Sequence, residues 1–367
     1  MIYIHIPFCK SRCIYCDFFS STLSTSRDAF INALRNEIHN RADEIRHARA
    51  NTIYLGGGTP SQLTYVQVKE IFDTLLGVVS LENGAEVTME CNPDDVTPEF
   101  MSSLADIPVN RISMGVQSMN DNFLRLLNRR HTSLQALKAV EILRSAGYDN
   151  LSIDLMYGLP GQTLELWKSD VDKIISLDVP HLSAYSLQWE EGTPLFKMLE
   201  KGEVQETDED TSVSMYRYLI RRAMECGYEH YEISNFAKPG MRAKHNSGYW
   251  RDEAYVGLGP GAHSYDGAYK RSCNPPDLQR YLNNEGIIAQ EIEILSEEEL
   301  YEEQVLKGLR TIDGLNLALM SEEYQEHAIN MAAPHIERGT MIRSGNILRL
   351  TEEGFILSND IMSDMML

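Results

Sequence analysis

Tyr3-Ile4-His5-Ile6-Pro7-Phe8-Cys9-Lys10-Ser11-Arg12-Cys13-Ile14-Tyr15-Cys16-Asp17-Phe18 is the stretch around which the rest of the chain is organised. An apolar, β-type run ends at Pro7, and three thiols follow at C-x3-C-x2-C spacing. A lone C-x2-C suggests zinc or a redox pair, but three cysteines packed so closely are an odd number for either. Soft thiolates in a tight loop also suit iron–sulfur clusters. A four-iron cluster takes four ligands, so three leave one iron open to an exogenous molecule. The plainer reading is three unrelated buried cysteines or a partial zinc site.

Working outward, strand-type and helix-type segments alternate. Apolar residues at helical spacing over Asp28–Arg46 precede a short β run at Thr52–Leu55, which breaks at Gly56-Gly57-Gly58-Thr59-Pro60. The pattern then predicts helix Thr64–Leu76, strand Glu86–Glu90, helix Pro98–Ala105 and strand Arg111–Val116 ending at Gln117. A helical region Asn120–Ala146, broken near Arg129–Thr132, leads to strand Leu151–Met156, helix Leu164–Leu177 and strand His181–Leu187. Six β-then-α steps with no hairpin mean parallel strands joined by right-handed crossovers. Six units fall short of the eight that close a barrel. The expected fold is therefore α/β: an open, partial (βα)6 barrel over residues 1–190.

Past Gln188 the rhythm changes. Glu203–Asp210 reads as an acidic solvated loop and Thr211–Cys226 as an amphipathic helix, followed by a β-type run at Tyr228–Ile233. Residues 234–266 are rich in Gly, Asn, Tyr and Pro and read as a long loop, of the kind usually kept for function. We therefore expect an α+β linker region over 191–275 and a small domain over 276–367. In the latter, helices at Leu278–Asn284, Glu297–Thr311 and Tyr324–Glu337 precede a hairpin of Met341–Arg343 and Ile347–Leu350, with a last helix capped by Thr351. Helices plus a hairpin wing give a winged-helix-like domain.

In parallel βα barrels the working residues stand at the C-terminal ends of the strands. Those ends here carry the three cysteines, Gly56–Thr59, Glu90, Gln117, Asp154 and Ser186–Gln188. Each has a bland reading as a loop, cap or surface residue. Together, the cysteine spacing and the aromatic Tyr15 before the last thiol resemble the radical S-adenosylmethionine (SAM) superfamily, in which SAM chelates the open iron. Tyr3–Cys9, Gly56–Pro60, Gly115-Val116-Gln117-Ser118, Asp154–Pro160 and the C-terminal module together resemble the oxygen-independent coproporphyrinogen III oxidase family over nearly the whole chain. That resemblance implies a 4Fe-4S cluster on Cys9, Cys13 and Cys16. It also implies SAM contacts from Tyr3, Glu90, Gln117, Arg129 and Asp154, with Gly57, Gly58 and Thr59 at the glycine-rich strand end.

Two departures matter. The decarboxylases carry a further cysteine two places after the third, where this chain has Phe18, and a long N-terminal extension, whereas this sequence starts at the first strand. Both point to the HemW branch of heme chaperones, as does His245-Asn246-Ser247-Gly248-Tyr249-Trp250, which matches that branch's HNxxYW pattern. Histidine is a common axial ligand of heme iron, and Tyr or Trp rings stack on porphyrins. The resemblance thus makes His245 a candidate heme ligand; the alternative is a loop histidine satisfied by backbone, with Trp250 plugging the core. Cys226, Cys273, His131, His230 and His263 are weaker candidates. A heme chaperone that passes heme to an unidentified acceptor protein competes with a radical decarboxylase of coproporphyrinogen III. A radical enzyme acting on RNA is a third reading.

Composition narrows these. The chain has 367 residues, 43% hydrophobic and 24% charged, and a net charge of −21 from 54 acidic and 33 basic residues. So acidic a surface repels phosphate backbones, which disfavours nucleic acid as a partner. The remaining cysteines, Cys91, Cys226 and Cys273, are isolated, so no disulfide framework is expected and the compartment reads as the reducing cytoplasm. No signal peptide is read, and no run approaches the ~20 apolar residues of a membrane span, though peripheral association with a membrane-bound acceptor stays open.

Overall fold

The computed structural model describes residues 1–367, the side chain of Ser24 excepted. Six strands, β1 (Ile2–Ile6), β2 (Thr52–Gly57), β3 (Glu86–Cys91), β4 (Arg111–Gln117), β5 (Leu151–Tyr157) and β6 (His181–Ser186), pair in parallel in sequence order. Helices α1 (Arg27–Asn40), α2 (Ala42–Ala48), α3 (Tyr65–Val78), α4 (Pro98–Ser103), α5 (Asp121–Leu126), α6 (Ser133–Ser145) and α7 (Leu164–Ser176) make the crossovers. This is the open (βα)6 half-barrel expected. The helix starts are written locally: Thr64 and Thr132 accept from the backbone N–H groups of Gln67 and Gln135, whose side chains reach back to complete capping boxes. One helix expected over Asp28–Arg46 is two, divided at Arg41.

The two faces of the sheet differ sharply. Outward-facing Ile53, Leu55, Val87, Met89, Ile112 and Ile153 are fully buried under the helices. Inward-facing Thr88, Arg111, Ser113, Ser152, His181 and Ser183 are polar and also buried. A closed eight-stranded barrel fills its interior with branched aliphatics. Here the strands alternate with a period of two and enclose a polar trough. At its N-terminal end His181 bridges Ser152 Oγ and Tyr231 Oη at 2.7 Å each.

The region after β6 completes this sheet. It contains α8 (Pro194–Glu200), α9 (Glu209–Glu225), β7 (Glu229–Glu232), β8 (Asn235–Ala237), α10 (Lys244–Trp250) and β9 (Val256–Leu258). β8 joins β6 antiparallel, and β9 joins β1 parallel, giving nine strands in the order β7-β8-β6-β5-β4-β3-β2-β1-β9. The segment after β9 is tied down by a buried ion pair on α1. Glu37 accepts from Gly259 N (2.8 Å), Asn274 Nδ2 (2.7 Å) and Tyr281 Oη (2.7 Å), while Arg41 bonds Glu37 (3.1 Å) and the Gly257 carbonyl (2.7 Å). A buried pair with every oxygen occupied in this way fixes position.

The hexapeptide His245–Trp250 was expected in a loop; it is helical and lies within α10. A Cβ on Gly248 would stand 2.1 Å from Met1 Sδ, so the methionine side chain would have to shift to admit one. Strands β10 (His263–Tyr265), β11 (Lys270–Cys273) and β12 (Glu291–Ile294) form a small antiparallel sheet that sequence reasoning missed, beside α11 (Leu278–Asn283). The C-terminal part has α12 (Glu297–Leu309), β13 (Leu315–Asn316), α13 (Glu322–Glu337), the hairpin β14 (Met341–Ser344) and β15 (Ile347–Leu350), then α14 (Glu352–Ile356) and α15 (Ser358–Asp364). The expected wing is present, with β13 as an added third strand.

Candidate functional site

The cysteine loop is held at both ends. Phe8 is buried edge-on against Phe30 with ring centres 5.3 Å apart, and Cys9 N donates to Ser21 O at 2.9 Å. Ile14 N donates to Leu127 O (3.3 Å), its carbonyl accepts from Leu195 N (2.9 Å), and Ile14 and Tyr15 pack on a small cluster with Phe123 and Leu187. Between these anchors the three thiols are half-buried on one wall of a single cavity of about 560 Å³. Arg129 Nη1 donates to Cys13 Sγ at 3.3 Å, and Thr59 Oγ1 to Cys9 Sγ at 3.5 Å. Burial pushes the Cys16 thiol up to about 11. Among the described residues no three His, Cys, Asp or Glu side chains converge tightly enough to hold one metal ion. Thiols spread along a wall, with a cation beside them, fit a cluster whose irons each take a different sulfur.

The rest of the cavity lies along the strand ends. Glu90 Oε1 accepts from Tyr54 Oη at 2.7 Å, and Oε2 from Gly57 N at 3.2 Å. Burial pushes the Glu90 carboxyl up to about 7; the Tyr54 hydrogen bond opposes the shift and nearby Asp154 adds to it. Asp154, 3.4 Å from Ser113 Oγ, is also raised by burial, with the Ser183 hydroxyl and the Arg111 charge holding it back. Gln117 has φ +68, in the left-handed region, where the β4–β5 register slips between Gly115 and Gln117. Such outliers turn a side chain out of the ladder. Arg129 also donates to Asn92 Oδ1 at 2.6 Å and to the Gly115 carbonyl.

The glycines have a role not foreseen. Glycines at a strand end can let backbone approach a ligand closely. A Cβ on Gly56 would meet the Tyr54 ring at 2.7 Å, one on Gly57 the His5 ring at 2.6 Å, and one on Gly58 the Phe8 carbonyl at 2.7 Å. They seat the protein's own cysteine loop and acidic wall, while Gly57 and Gly58 still line the cavity.

Of the residues singled out in the sequence, the three cysteines, Gly57, Gly58, Thr59, Glu90, Gln117, Arg129 and Asp154 share this one cavity. Tyr3 is absent from its wall: its hydroxyl lies 3.0 Å from His5 Nδ1 and its ring stacks on Tyr54. His245 is 1% exposed. Its Nδ1 is 2.7 Å from Thr52 Oγ1 and its Nε2 3.0 Å from Tyr249 Oη, so in this conformation neither nitrogen is offered to iron. The next residue of the hexapeptide, Asn246, does line the cavity, as do Arg111 and Ser183. Sequence reasoning missed these three. Period-two alternation would have turned Arg111 inward with Ser113, and that signal went unused.

Residues 3–174 match the radical SAM superfamily model. Over its whole length the chain is 36% identical to a heme chaperone HemW of Lactococcus lactis, 97% of which is covered. The chain belongs to the HemW family. A HemW of Bacillus subtilis is 34% identical, with 98% of this chain and 97% of the relative covered. The zebrafish mitochondrial radical S-adenosyl methionine domain-containing protein 1 is 31% identical, covering 100% and 86%. Among solved structures, the Escherichia coli radical SAM enzyme HemN, a coproporphyrinogen III oxidase, superposes with a TM-score of 0.84 at 21% identity, over 99% of this chain and 89% of HemN. This HemW-family chain therefore shares the HemN fold, including the antiparallel additions beyond the half-barrel. No helix is long and apolar enough to cross a membrane among the described residues.

Proposed function

We propose that the chain binds heme and hands it to an acceptor protein, and that Cys9, Cys13 and Cys16 hold a 4Fe-4S cluster whose open iron takes SAM. Full-length likeness to proteins named heme chaperones carries this reading. When reduced, such a cluster supplies one electron to a chelated SAM. The chain's own residues hold and orient. Arg129 Nη1 donates to Cys13 Sγ and holds that side chain in place. Glu90 faces the SAM ammonium, and a cation arriving there draws the proton off a carboxyl that titrates near 7. Gln117 and Asp154 take ribose hydroxyls, and Gly57–Thr59 form the seat beneath. Ile14, Tyr15 and Leu187 keep water from behind the loop.

His245 is the proposed iron ligand, on condition that its ring exchanges Thr52 and Tyr249 for iron. Residues 1–190 form the SAM core in this reading, 191–275 carry the HNxxYW helix, and 276–367 serve as the docking module for the acceptor. The chain works in the cytoplasm; a net charge of −21 disfavours nucleic acid as its natural partner. Phe18, 66% exposed on the cavity lip where the oxidases carry a fourth cysteine, supports a role other than decarboxylation.

The test is hemin titration of anaerobically reconstituted protein beside a coproporphyrinogen III assay. One heme per chain and no protoporphyrinogen are expected. Turnover at the rate of an authentic oxidase would replace this reading with the decarboxylase.

A further inference from the structure

The deep end of the trough holds a cation that the SAM seat does not use. Arg111 opens β4 opposite Thr88, two residues before Glu90 on β3, which puts its backbone about 7 Å below that carboxylate at ~3.3 Å per residue. It is 2% exposed and lines the same cavity as the thiols. Its Nε–H has no acceptor, and among the described residues no carboxylate lies within ion-pairing distance of the guanidinium. Thr88, directly opposite on β3 and fully buried, likewise has an unpartnered Oγ1. Asn246 of α10 lines the cavity as well. An unpaired buried guanidinium is strongly unfavourable unless something answers its charge. Glu90 and Asp154 feel its charge, which opposes the effect of burial on both carboxyls, yet neither lies within 4.0 Å of the guanidinium.

We propose that Arg111, assisted by Asn246, forms an anion subsite at the floor of the cavity that takes the carboxylate of a small ligand. The guanidinium fork matches a carboxylate in two parallel hydrogen bonds, and the Asn246 amide offers a further donor. The subsite lies below the residues assigned to SAM, so the two ligands occupy the cavity together. Its depth favours a compact free acid over a porphyrin propionate reaching down from the mouth. The proposal rests on the SAM assignment above only in this separation.

Acetate labelled with 13C is the probe, titrated into the full chain by NMR, before and after anaerobic loading with cluster and SAM. Saturable broadening is expected in both states, strengthened by the paramagnetic reduced cluster. Arg111→Gln should weaken binding at least tenfold, and Arg111→Lys should restore most of it. Should Arg111→Gln fail to fold by thermal melting, Asn246→Ala carries the comparison with an expected loss of about threefold. Hemin and its dimethyl ester then separate the sources. Displacement of acetate by hemin alone assigns the carboxylate to the macrocycle; displacement by neither assigns a free small acid. Hemin failing to bind at all, with Arg111-dependent acetate binding intact, would sink the heme reading and leave the subsite standing. Equal acetate binding by wild type and folded variant, or complete loss on adding SAM, would overturn the subsite.

Discussion

Gly58→Ala tests the link between strand packing and the metal loop. A Cβ on Gly58 would lie 2.7 Å from Phe8 O, 2.8 Å from Phe8 N and 2.9 Å from Ile6 O. All three are main-chain atoms, so no side chain can swing away. Relief requires either β2 to leave β1, breaking the Gly58 N to Ile6 O bond of 2.8 Å, or Phe8–Cys9 to move outward. Overpacking of this kind costs about 1–3 kcal/mol. At roughly 2 cal/mol/K per residue the unfolding entropy of so long a chain converts this to a Tm drop of about 1–4 °C. The larger effect falls on the cluster, because Cys9 is the residue displaced. Iron and sulfide per chain after anaerobic reconstitution should fall to less than half, with far-UV circular dichroism unchanged. The control is Gly77→Ala, in the last turn of α3 where nothing stands within 4 Å of a Cβ; it should raise stability by about 0.4–1 kcal/mol. Full cluster content and an unchanged Tm in Gly58→Ala would refute the argument that the glycine exists to seat the loop.

Ala at Cys9, Cys13 or Cys16 should abolish the cluster's visible absorbance, whereas Ala at Cys91, Cys226 or Cys273 should leave it intact. Asp154→Ala should weaken SAM binding by ~1.5–3 kcal/mol in equilibrium titration without removing iron, since it deletes charge-assisted hydrogen bonds; equal affinity would show the ribose assignment wrong. Glu90 and Glu232 both titrate near 7 in the folded chain because burial raises them from 4.5. Between those values the folded state binds more protons than the unfolded one, so their contribution to stability falls as pH rises from about 4.5 to 7. Glu90→Gln should therefore flatten the fall of Tm with pH over that window, and an unchanged slope would count against the buried carboxyl. His245→Ala should lower Tm, because Thr52 and Tyr249 lose a shared partner in a closed site, and should alter the Soret band of the hemin complex only if the ring also reaches iron.

Much of the half-barrel and the site was legible in the chain itself. β–α alternation is a local property, and parallel strands oblige crossovers of one hand, so six units fixed the sheet order of β1 to β6. The site followed because residues at successive strand ends must meet at one rim: Cys9, Gly57, Glu90 and Gln117 needed no long-range information, and Asp154, expected at a strand end but three residues inside that of β5, joins them by facing inward. The hexapeptide was another matter. Its Gly248 and Asn246 look like loop residues, and only the tertiary structure brings Met1 from the far end of the sequence against the glycine inside a helix. The addition of β9 beside β1 depends on Glu37 and Arg41 meeting Gly257, Gly259, Asn274 and Tyr281, contacts more than two hundred residues apart. Tyr3 and His245 carry the same residue types whether they face a ligand or each other's neighbours. Sequence determined which strand each stands on or beside; only the packing of α10 against β2 decided that His245 is closed in and Asn246 looks onto the cavity. Local chemistry writes the periods and the caps, and tertiary contact alone determines which polar side chain is left without a partner.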